Sequence, residues 1–418
     1  MKGWNNTRLK NLLNEPLLYG LNVSSEYEER DMPRYIRITD FDDFNNLNEQ
    51  TFKSLPEEIA QSAQLKDGDL LFARSGASVG KTFLYRPLPN GACYAGYLIR
   101  ARFDRQRVMP EYVSYYTKSQ SYENWKNATY IQATIQNISA ERYYQLPISI
   151  PPLEEQGRIV SYLNDKTGKI DARVSLLTKK RDAYQRLKKA LISRVVTKGL
   201  NPNAKFKPSG VDWIGEIPEG WEVKRIKEIG FIASGTTPKS SNDLYYENGV
   251  HPWLNTGCVQ DCIINEPAKY ITDLALKDCN GLSYYPKDTI LIAMYGGGTI
   301  GNVGLMNISA TINQACCAIV LDKHRAISKF LFYCMLYNKN KLISNGFGGT
   351  QINLSQSQIA NYLIVIPPLS EQQSIATYLD EKCSEIDANI ANLEKQIEKY
   401  KELKRALISE VVTGKRRV

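Results

Sequence analysis

The sequence predicts an α+β protein: two mixed α/β domains joined by two long helices, with a pseudo-two-fold internal duplication. Three observations predict it. Residues 150–197 and 366–413 align without a gap at an offset of 216 and match at 25 of 48 positions. Both copies place an apolar residue at every third or fourth position, the mark of a helix with one buried face. The segments between them mix short β-rich runs with helical stretches. A repeat half the chain long is a tandem duplication and not a solenoid. The expected boundaries are a first domain over 1–150, a central helix over 151–200, a second domain over 201–366 and a second helix over 367–418.

The first helix carries its apolar seam at Ile159, Leu163, Ile170, Val174, Leu177, Tyr184, Leu187, Leu191 and Val195, with Lys166 and Arg181 as polar exceptions. The second carries it at Ile375, Leu379, Ile386, Ile390, Leu393, Ile397, Tyr400, Leu403, Leu407 and Val411, with Lys382 filling the missing step. The mean spacing from Ile375 to Val411 is about 3.6, which favours nearly straight packed helices over a strongly supercoiled rope. Pro367-Pro368 stops what precedes, Ser370 with Gln373 fits a capping box, and Gly199 and Gly414 sit where a C-terminal cap belongs. Each helix would run about 60 Å at 1.5 Å per residue. Two exposed apolar stripes of that length in one chain should pack on each other; docking of each helix on its own domain is the alternative.

The intervening segments repeat more weakly. Leu70–Ala73 leading into Gly76–Gly80 matches Ile290–Ala293 leading into Gly296–Gly301, and Thr134–Pro152 matches Thr350–Pro368 at the same offset. Trp4–Lys10 resembles Trp221–Lys227. Strands are expected at Asp288–Ala293 and Cys316–Leu321, and helices around Glu111–Lys118 and Ile327–Leu336.

Composition narrows the function. Apolar residues make up 43% of the 418 and charged residues 23%, a globular balance. No apolar run approaches the roughly 18–20 residues of a membrane helix, and the opening Met1–Asn6 lacks an apolar signal, so a cytoplasmic protein is expected. The eight cysteines are scattered and expected to be reduced. Cys258 and Cys262 lack a second pair or a nearby histidine pair for zinc, and the two histidines, His251 and His324, are too few for chemistry built on several His ligands. The net charge is +9, of which +7 falls within residues 154–200. The remaining segments are nearly neutral, so bulk charge by itself is a weak argument for nucleic acid.

Ser75–Thr82 looks like a phosphate loop, but Gly76 stands four residues before Gly80 where five are needed. A strand, Thr82–Tyr85, is expected to follow instead of a helix, and Asn302 replaces Lys81 in the duplicate. A tight strand–turn–strand is expected, with Lys81 exposed. No Gly-x-Ser-x-Gly elbow, His-Glu-x-x-His pair or amino-methyltransferase tetrad occurs. The chain reads as a binding subunit with no catalytic residues and no metal site.

The two Ile-Pro-Pro-Leu-x-Glu-Gln motifs at 150–156 and 366–372, with Pro218–Glu222, Gly235–Pro238, Asn313–Cys316 and Thr350–Ser355, resemble the specificity subunit of Type I restriction-modification systems over essentially the whole chain. The first domain matches less well: Trp4 lacks the usual Pro-x-Gly lead and no Gly-x-Thr-Pro follows. The resemblance implies that each domain is a target recognition domain reading half of an asymmetric, interrupted sequence in double-stranded DNA. It implies that the two long antiparallel helices form a coiled-coil spacer that holds the domains apart and docks two methyltransferase subunits, with restriction (translocase) subunits joining them. S-adenosylmethionine, ATP and Mg would belong to those partners and not to this chain. A rigid helix pair suits two half-sites about one DNA turn, roughly 34 Å, apart, and pseudo-two-fold symmetry suits two copies of one partner. A Type IIB-like specificity subunit and a coiled-coil scaffold without DNA recognition are the alternatives.

Polar loop side chains are the candidate base readers, because Arg, Lys, Gln and Asn match base edges. In the first domain they are Arg74, Ser75, Lys81, Gln132, Thr134 and Gln136; in the second, Lys239, Tyr295, Thr299, Thr350, Gln351 and Asn353. Thr134, Asn137, Thr350 and Asn353 read equally well as turn caps. Arg100, Arg102, Arg105 and Arg107 form a basic cluster in which Arg100 and Arg102 share a strand face and are expected to reach phosphates. The basic first helix has two readings, a solvated or acidic-partner face and a DNA-backbone contact; the first is favoured because coiled-coil flanks are commonly charged.

Overall fold

The computed structural model describes residues 3–24, 27–42, 45–130, 137–344, 346–347 and 352–418. The chain divides into two compact units, one of residues 1–179 and 394–418 and the other of residues 180–393. Each long helix therefore starts in one unit and ends in the other.

Unit 1 has strands β1 (Asn5–Arg8), β2 (Leu18–Tyr19), β3 (Arg34–Ile36), β4 (Leu70–Ala73), β5 (Thr82–Leu84), β6 (Ala92–Tyr94), β7 (Leu98–Ala101) and β8 (Pro147–Ile150). Its helices are α1 (Glu57–Ala60), α2 (Pro110–Tyr116), α3 (Gln120–Tyr130), α4 (Ala140–Tyr144) and the start of α5 (Leu153–Lys198). An antiparallel sheet runs β2-β7-β4-β5, β3 pairs in parallel with β6, and β1 pairs with β8.

Unit 2 has β9 (Phe206–Pro208), β10 (Glu216–Pro218), β11 (Glu222–Arg225), β12 (Gly230–Ser234), β13 (His251–Leu254), β14 (Cys262–Ile264), β15 (Lys269–Ile271), β16 (Ile290–Ala293), β17 (Val303–Met306), β18 (Thr311–Ile312), β19 (Cys316–Leu321) and β20 (Leu363–Ile366). Its helices are α6 (Asp273–Asp278), α7 (Ser328–Ser344), α8 (Gln356–Ala360) and the start of α9 (Leu369–Val412). The main sheet runs β12-β19-β16-β17-β14, β13 pairs in parallel with β18 and antiparallel with β15, and β11 pairs with β20. This is the topology of unit 1 strand for strand, with β14, β15 and the antiparallel pair β9-β10 added. The duplication thus extends through regions where the residues no longer match.

Both long helices follow a Pro-Pro pair, whose rings cannot continue a hydrogen-bonded run from the preceding strand. Glu154, Glu155 and Glu371 then favour the positive end of the helix. The expected capping box at Ser370 is not made. Helix α9 begins at Leu369, where Pro368 O accepts the Glu371 and Gln372 amides at 2.9 and 3.0 Å, so Ser370 already lies inside the first turn. Gly199 closes α5 with φ +73° and an amide bond of 3.0 Å to Val195 O.

The apolar faces build the cores. In unit 1, Ile159, Leu163 and Ile170 of α5 pack with Leu407, Ile408, Val411 and Val412 of α9 and with Phe72, Tyr112 and Tyr143. In unit 2, Ile192, Val195 and Val196 pack with Ile375, Leu379 and Cys383 and with Trp221, Ile290 and Phe330. Within each unit the two helix halves run antiparallel: in unit 1 Asp171 pairs with Lys404 while Tyr112 links Ser149 to Val412, and in unit 2 Lys188 pairs with Asp387 while Gly199 lies beside Glu371. Leu177, Ile386, Leu393 and Ile397 are buried as expected, and Val174, Tyr184, Leu191 and Ile390 are half-buried. Two seam assignments are corrected. Leu187 and Leu403 are 52% and 53% exposed, and the inward positions belong to the next residues, Lys188 and Lys404. Cys383 likewise takes the step assigned to Lys382.

The Glu-Gln of each helix start has a structural task. Gln156 and Gln372 are fully buried. Gln156 accepts the Met109 amide at 2.8 Å and donates to the carbonyls of Pro151 and Arg107 at 2.9 and 3.3 Å. Gln372 accepts Ile327 N at 2.9 Å and donates to Pro367 O and Arg325 O at 2.9 and 3.2 Å. Each clamps the loop leading to α2 or α7 onto the long helix. The preceding glutamates hold the indoles: Trp4 Nε1 donates to Glu155 at 3.1 Å and Trp221 Nε1 to Glu371 at 2.9 Å.

Candidate nucleic-acid interface

In unit 2, four loops meet where β12, β16 and β18 are left and α8 is entered. Gly235 follows β12 so closely against β18 that a Cβ would lie 1.8 Å from Ile312 O, which excludes every other residue. The chain is pinned there by Thr236 N to Ile312 O at 3.0 Å and Gly235 N to Asn313 O at 3.3 Å. This presents Thr237, whose hydroxyl donates to Gln314 Oε1, beside the exposed Lys239. The loop after β16 is held by Met294 N to Ala315 O at 2.8 Å and Leu354 N to Met294 O at 3.0 Å. It exposes Tyr295, whose carbonyl accepts the Thr299 hydroxyl at 3.1 Å. Asn353 pairs backbone to backbone with Phe347, its amide donating at 2.8 Å.

Unit 1 repeats this frame on unlike residues. Gly20 takes the place of Gly235, with a Cβ position 2.2 Å from Tyr94 O, and Leu21 N donates to Tyr94 O at 2.9 Å. The Gly-x-Thr-Pro loop absent from the first domain is replaced by Gly20-Leu21-Asn22-Val23. Arg74 N donates to Tyr97 O at 3.0 Å and Ile138 N to Arg74 O at 2.8 Å, matching Met294 and Leu354. The Arg74 guanidinium stacks 4.7 Å from the Tyr19 ring centroid, and Ser75 bridges to Asn137. Tyr97 is exposed beside them. Lys81 closes the β4–β5 turn, its ammonium 5.6 Å from the Phe41 ring centroid.

The expected phosphate ligands Arg100 and Arg102 are corrected. Both turn into unit 1. Arg100 donates to Glu15 at 2.7 Å; Arg102 meets Glu15 at 2.9 Å and the buried Asp69 at 2.7–2.8 Å. The two arginines do share a strand face, but β7 is an inner strand and Glu15 covers that face. The Arg102 hydrogen bond holds the Glu15 carboxyl below the usual range. Gln132, Thr134, Gln136, Thr350 and Gln351 lie outside the described residues. Thr237 and Gln314 join the candidate readers; both stand in sequence motifs, Gly235–Pro238 and Asn313–Cys316. Tyr19 and Tyr97 carry no sequence signal, because neither is repeated in the second half.

Among the described residues, no group of three or more His, Cys, Asp or Glu is placed to hold a metal ion. His251 sits between Tyr284 OH and Asp273 Oδ1, each at 2.7 Å, and Cys258 and Cys262 are free thiols. No helix among the described residues is long and apolar enough to cross a membrane.

Comparison with known proteins follows the same division. The model of the Type I restriction modification DNA specificity domain matches residues 1–177 and again 218–399. The chain is 26% identical over 361 residues to the type I restriction enzyme MjaVIII specificity subunit of Methanocaldococcus jannaschii, covering 85% of this chain and 80% of that one. It superposes on a chain solved for the assembly and conformational transition of a type I R-M system with a TM-score of 0.73, at 20% identity and covering 99% and 98% of the two chains. The HsdS subunit from Thermoanaerobacter tengcongensis matches over 99% of this chain and 97% of its own, at 20% identity and a TM-score of 0.51.

Proposed function

The chain belongs to the Type I restriction-modification DNA specificity family, and on that footing we propose that its two globules each read one half of an interrupted, asymmetric DNA target. The observation that carries this is the shared loop frame bearing different side chains. Gly20 and Gly235 fix the same close approach, yet one unit presents Arg74, Ser75 and Tyr97 and the other Thr237, Gln314 and Tyr295. Equal frames place the reading groups alike on two stretches of duplex, and unlike groups select unlike bases.

The chain itself performs no chemistry in this reading. Two methyltransferase subunits dock on the repeated helices and bring S-adenosylmethionine; restriction subunits add ATP and Mg. The complex acts in the cytoplasm on cellular DNA. Neither the Type IIB-like nor the scaffold alternative is favoured by the comparisons, which name type I specificity subunits.

The test is to combine the chain with its cognate methyltransferase subunit and map adenine methylation on random-sequence duplex. One split, asymmetric motif is expected. Methylation without sequence preference, or failure to form a complex, would overturn the reading.

A further inference from the structure

A groove of about 740 Å3 opens in unit 1 beside the β4–β5 turn. It is walled by that turn, by the α2–α3 corner and by the last turns of α9. Six cations line it, Lys81, Lys118, Lys126, Lys401, Lys404 and Arg405, against the single carboxylate of Glu123. Lys126 pairs with Glu123 at 2.6 Å and Lys404 with Asp171 at 2.7 Å. Lys401 and Arg405 approach Glu398 no nearer than 3.8 Å, beyond hydrogen-bond range, so their donors stay available to an anion. Six like charges around one concavity repel each other and focus a positive potential on whatever enters it.

The duplication shows that the fold does not require this. Gly80 and Gly301 are counterparts, each donating its amide at 2.8 Å to the last residue of the preceding strand, Ala73 or Ala293. The next residue is Lys81 in unit 1 and Asn302 in unit 2. In unit 2 the lysine over that glycine, Lys339, is bound to Asp261 at 2.7 Å and to Asn302 at 2.5 Å. On α5, Gln185 stands in place of Lys401, while Lys188 and Lys189 stand in place of Lys404 and Arg405. Unit 2 thus keeps lysines in place of Lys126, Lys404 and Arg405 but has no cation in place of Lys81 or Lys401, so the charge is denser in unit 1.

We propose that this groove grips the sugar-phosphate backbone of duplex DNA, giving unit 1 a stronger sequence-independent anchor than the matching place in unit 2. The inference rests on the DNA reading above and adds an asymmetry to it. The β4–β5 connection runs from strand to strand, so no long helix N-terminus offers a row of amides to a nucleotide triphosphate. The same connection carries Arg74 and Ser75 at its start and Lys81 at its end, so phosphates held in the groove lie beside the bases being read. Phosphate contacts fix register while base contacts select sequence.

The experiment measures binding of the full chain, with its methyltransferase subunit, to target and non-target duplex from 50 to 300 mM salt. Each lost phosphate contact lowers the slope of log affinity against log salt by about 0.9. The double variant Lys401→Gln/Arg405→Gln is expected to lose about two units of slope, equally on target and non-target DNA. Lys395→Gln/Lys399→Gln, which removes the same charge from the same helix outside the groove, should keep the original slope. An unchanged slope in the first variant overturns the proposal, as does a loss confined to methyltransferase association, which would make the groove a protein-docking site. Failure of the DNA reading itself would show separately, as absence of target selectivity in the unaltered complex.

Discussion

Lys404 donates to both carboxylate oxygens of Asp171, each at 2.7 Å, from a position inside the apolar seam of the long helices. Its counterparts 216 residues away, Lys188 and Asp387, make the same bond in unit 2 at 2.7 and 2.6 Å. The duplication has kept one lysine and one aspartate per helix, so that each lysine meets the aspartate of the opposite helix. A polar pair within a seam favours one register over its slipped alternatives.

The two pairs differ in depth, and their loss should differ in cost. The Lys404 side chain is 11% exposed and that of Lys188 30%. Asp171→Ala strands a nearly buried ammonium and should lower stability by about 2 kcal/mol, whereas Asp387→Ala should cost under about 1 kcal/mol. Lys404→Met should be near neutral, because Asp171 can turn to water. Denaturant unfolding of the three variants checks the order; equal losses for both aspartates would contradict the depth argument.

Gln156→Leu and Gln372→Leu keep the side-chain volume but strand the amides of Met109 and Ile327. Each should cost about 2–3 kcal/mol, the price of a buried donor without a partner plus two lost bonds. Thermal unfolding should show similar losses for the two, since their hydrogen bonds match one for one.

Base reading separates from backbone anchoring by its signature. Gln314→Ala or Tyr295→Ala should reduce discrimination at one half-site by about 1–3 kcal/mol without altering the salt slope. Arg74→Ala should do the same at the other half-site. Methylation maps of the reconstituted complex, scored half by half, distinguish these effects; a loss spread over both halves would contradict the division of labour.

Acid should weaken unit 1 through its arginine-held carboxylates. Glu15 is held down by the Arg102 hydrogen bond, Glu49 by those of Arg30 and Arg34, and Asp67 by those of Arg105 and Arg86. A carboxyl with a lowered folded pKa contributes its full stabilisation above its unfolded value, here about 4–4.5. That contribution is lost as pH falls through the folded value. Glu15→Gln should therefore lower the unfolding midpoint at pH 7, by an amount that shrinks as the pH falls below about 4. A constant difference across that range would contradict the linkage.

The sequence by itself determined the duplication, the two long helices and the mixed domains between them, because helical periodicity and Pro-Pro boundaries are local signals that need no partner. It also located the β4–β5 and β16–β17 turns and the motifs that build the unit 2 loop frame. The tertiary structure decided the rest. Tyr400 to Leu407 spans seven residues whether the intermediate step is Leu403 or Lys404, and Tyr184 to Leu191 is the same with Leu187 or Lys188. Spacing cannot choose between them; the aspartate on the opposite helix does. The alternation that put Arg100 and Arg102 on one face is correct, but only packing shows that the face is covered by Glu15 and Asp69. Gly20 matches Gly235 in no surrounding motif, and the two are equivalent because each backbone must pass a neighbouring carbonyl too closely for a side chain. Periodicity fixes which way a residue points along its own element, and what it meets there depends on residues 33 to 233 positions away.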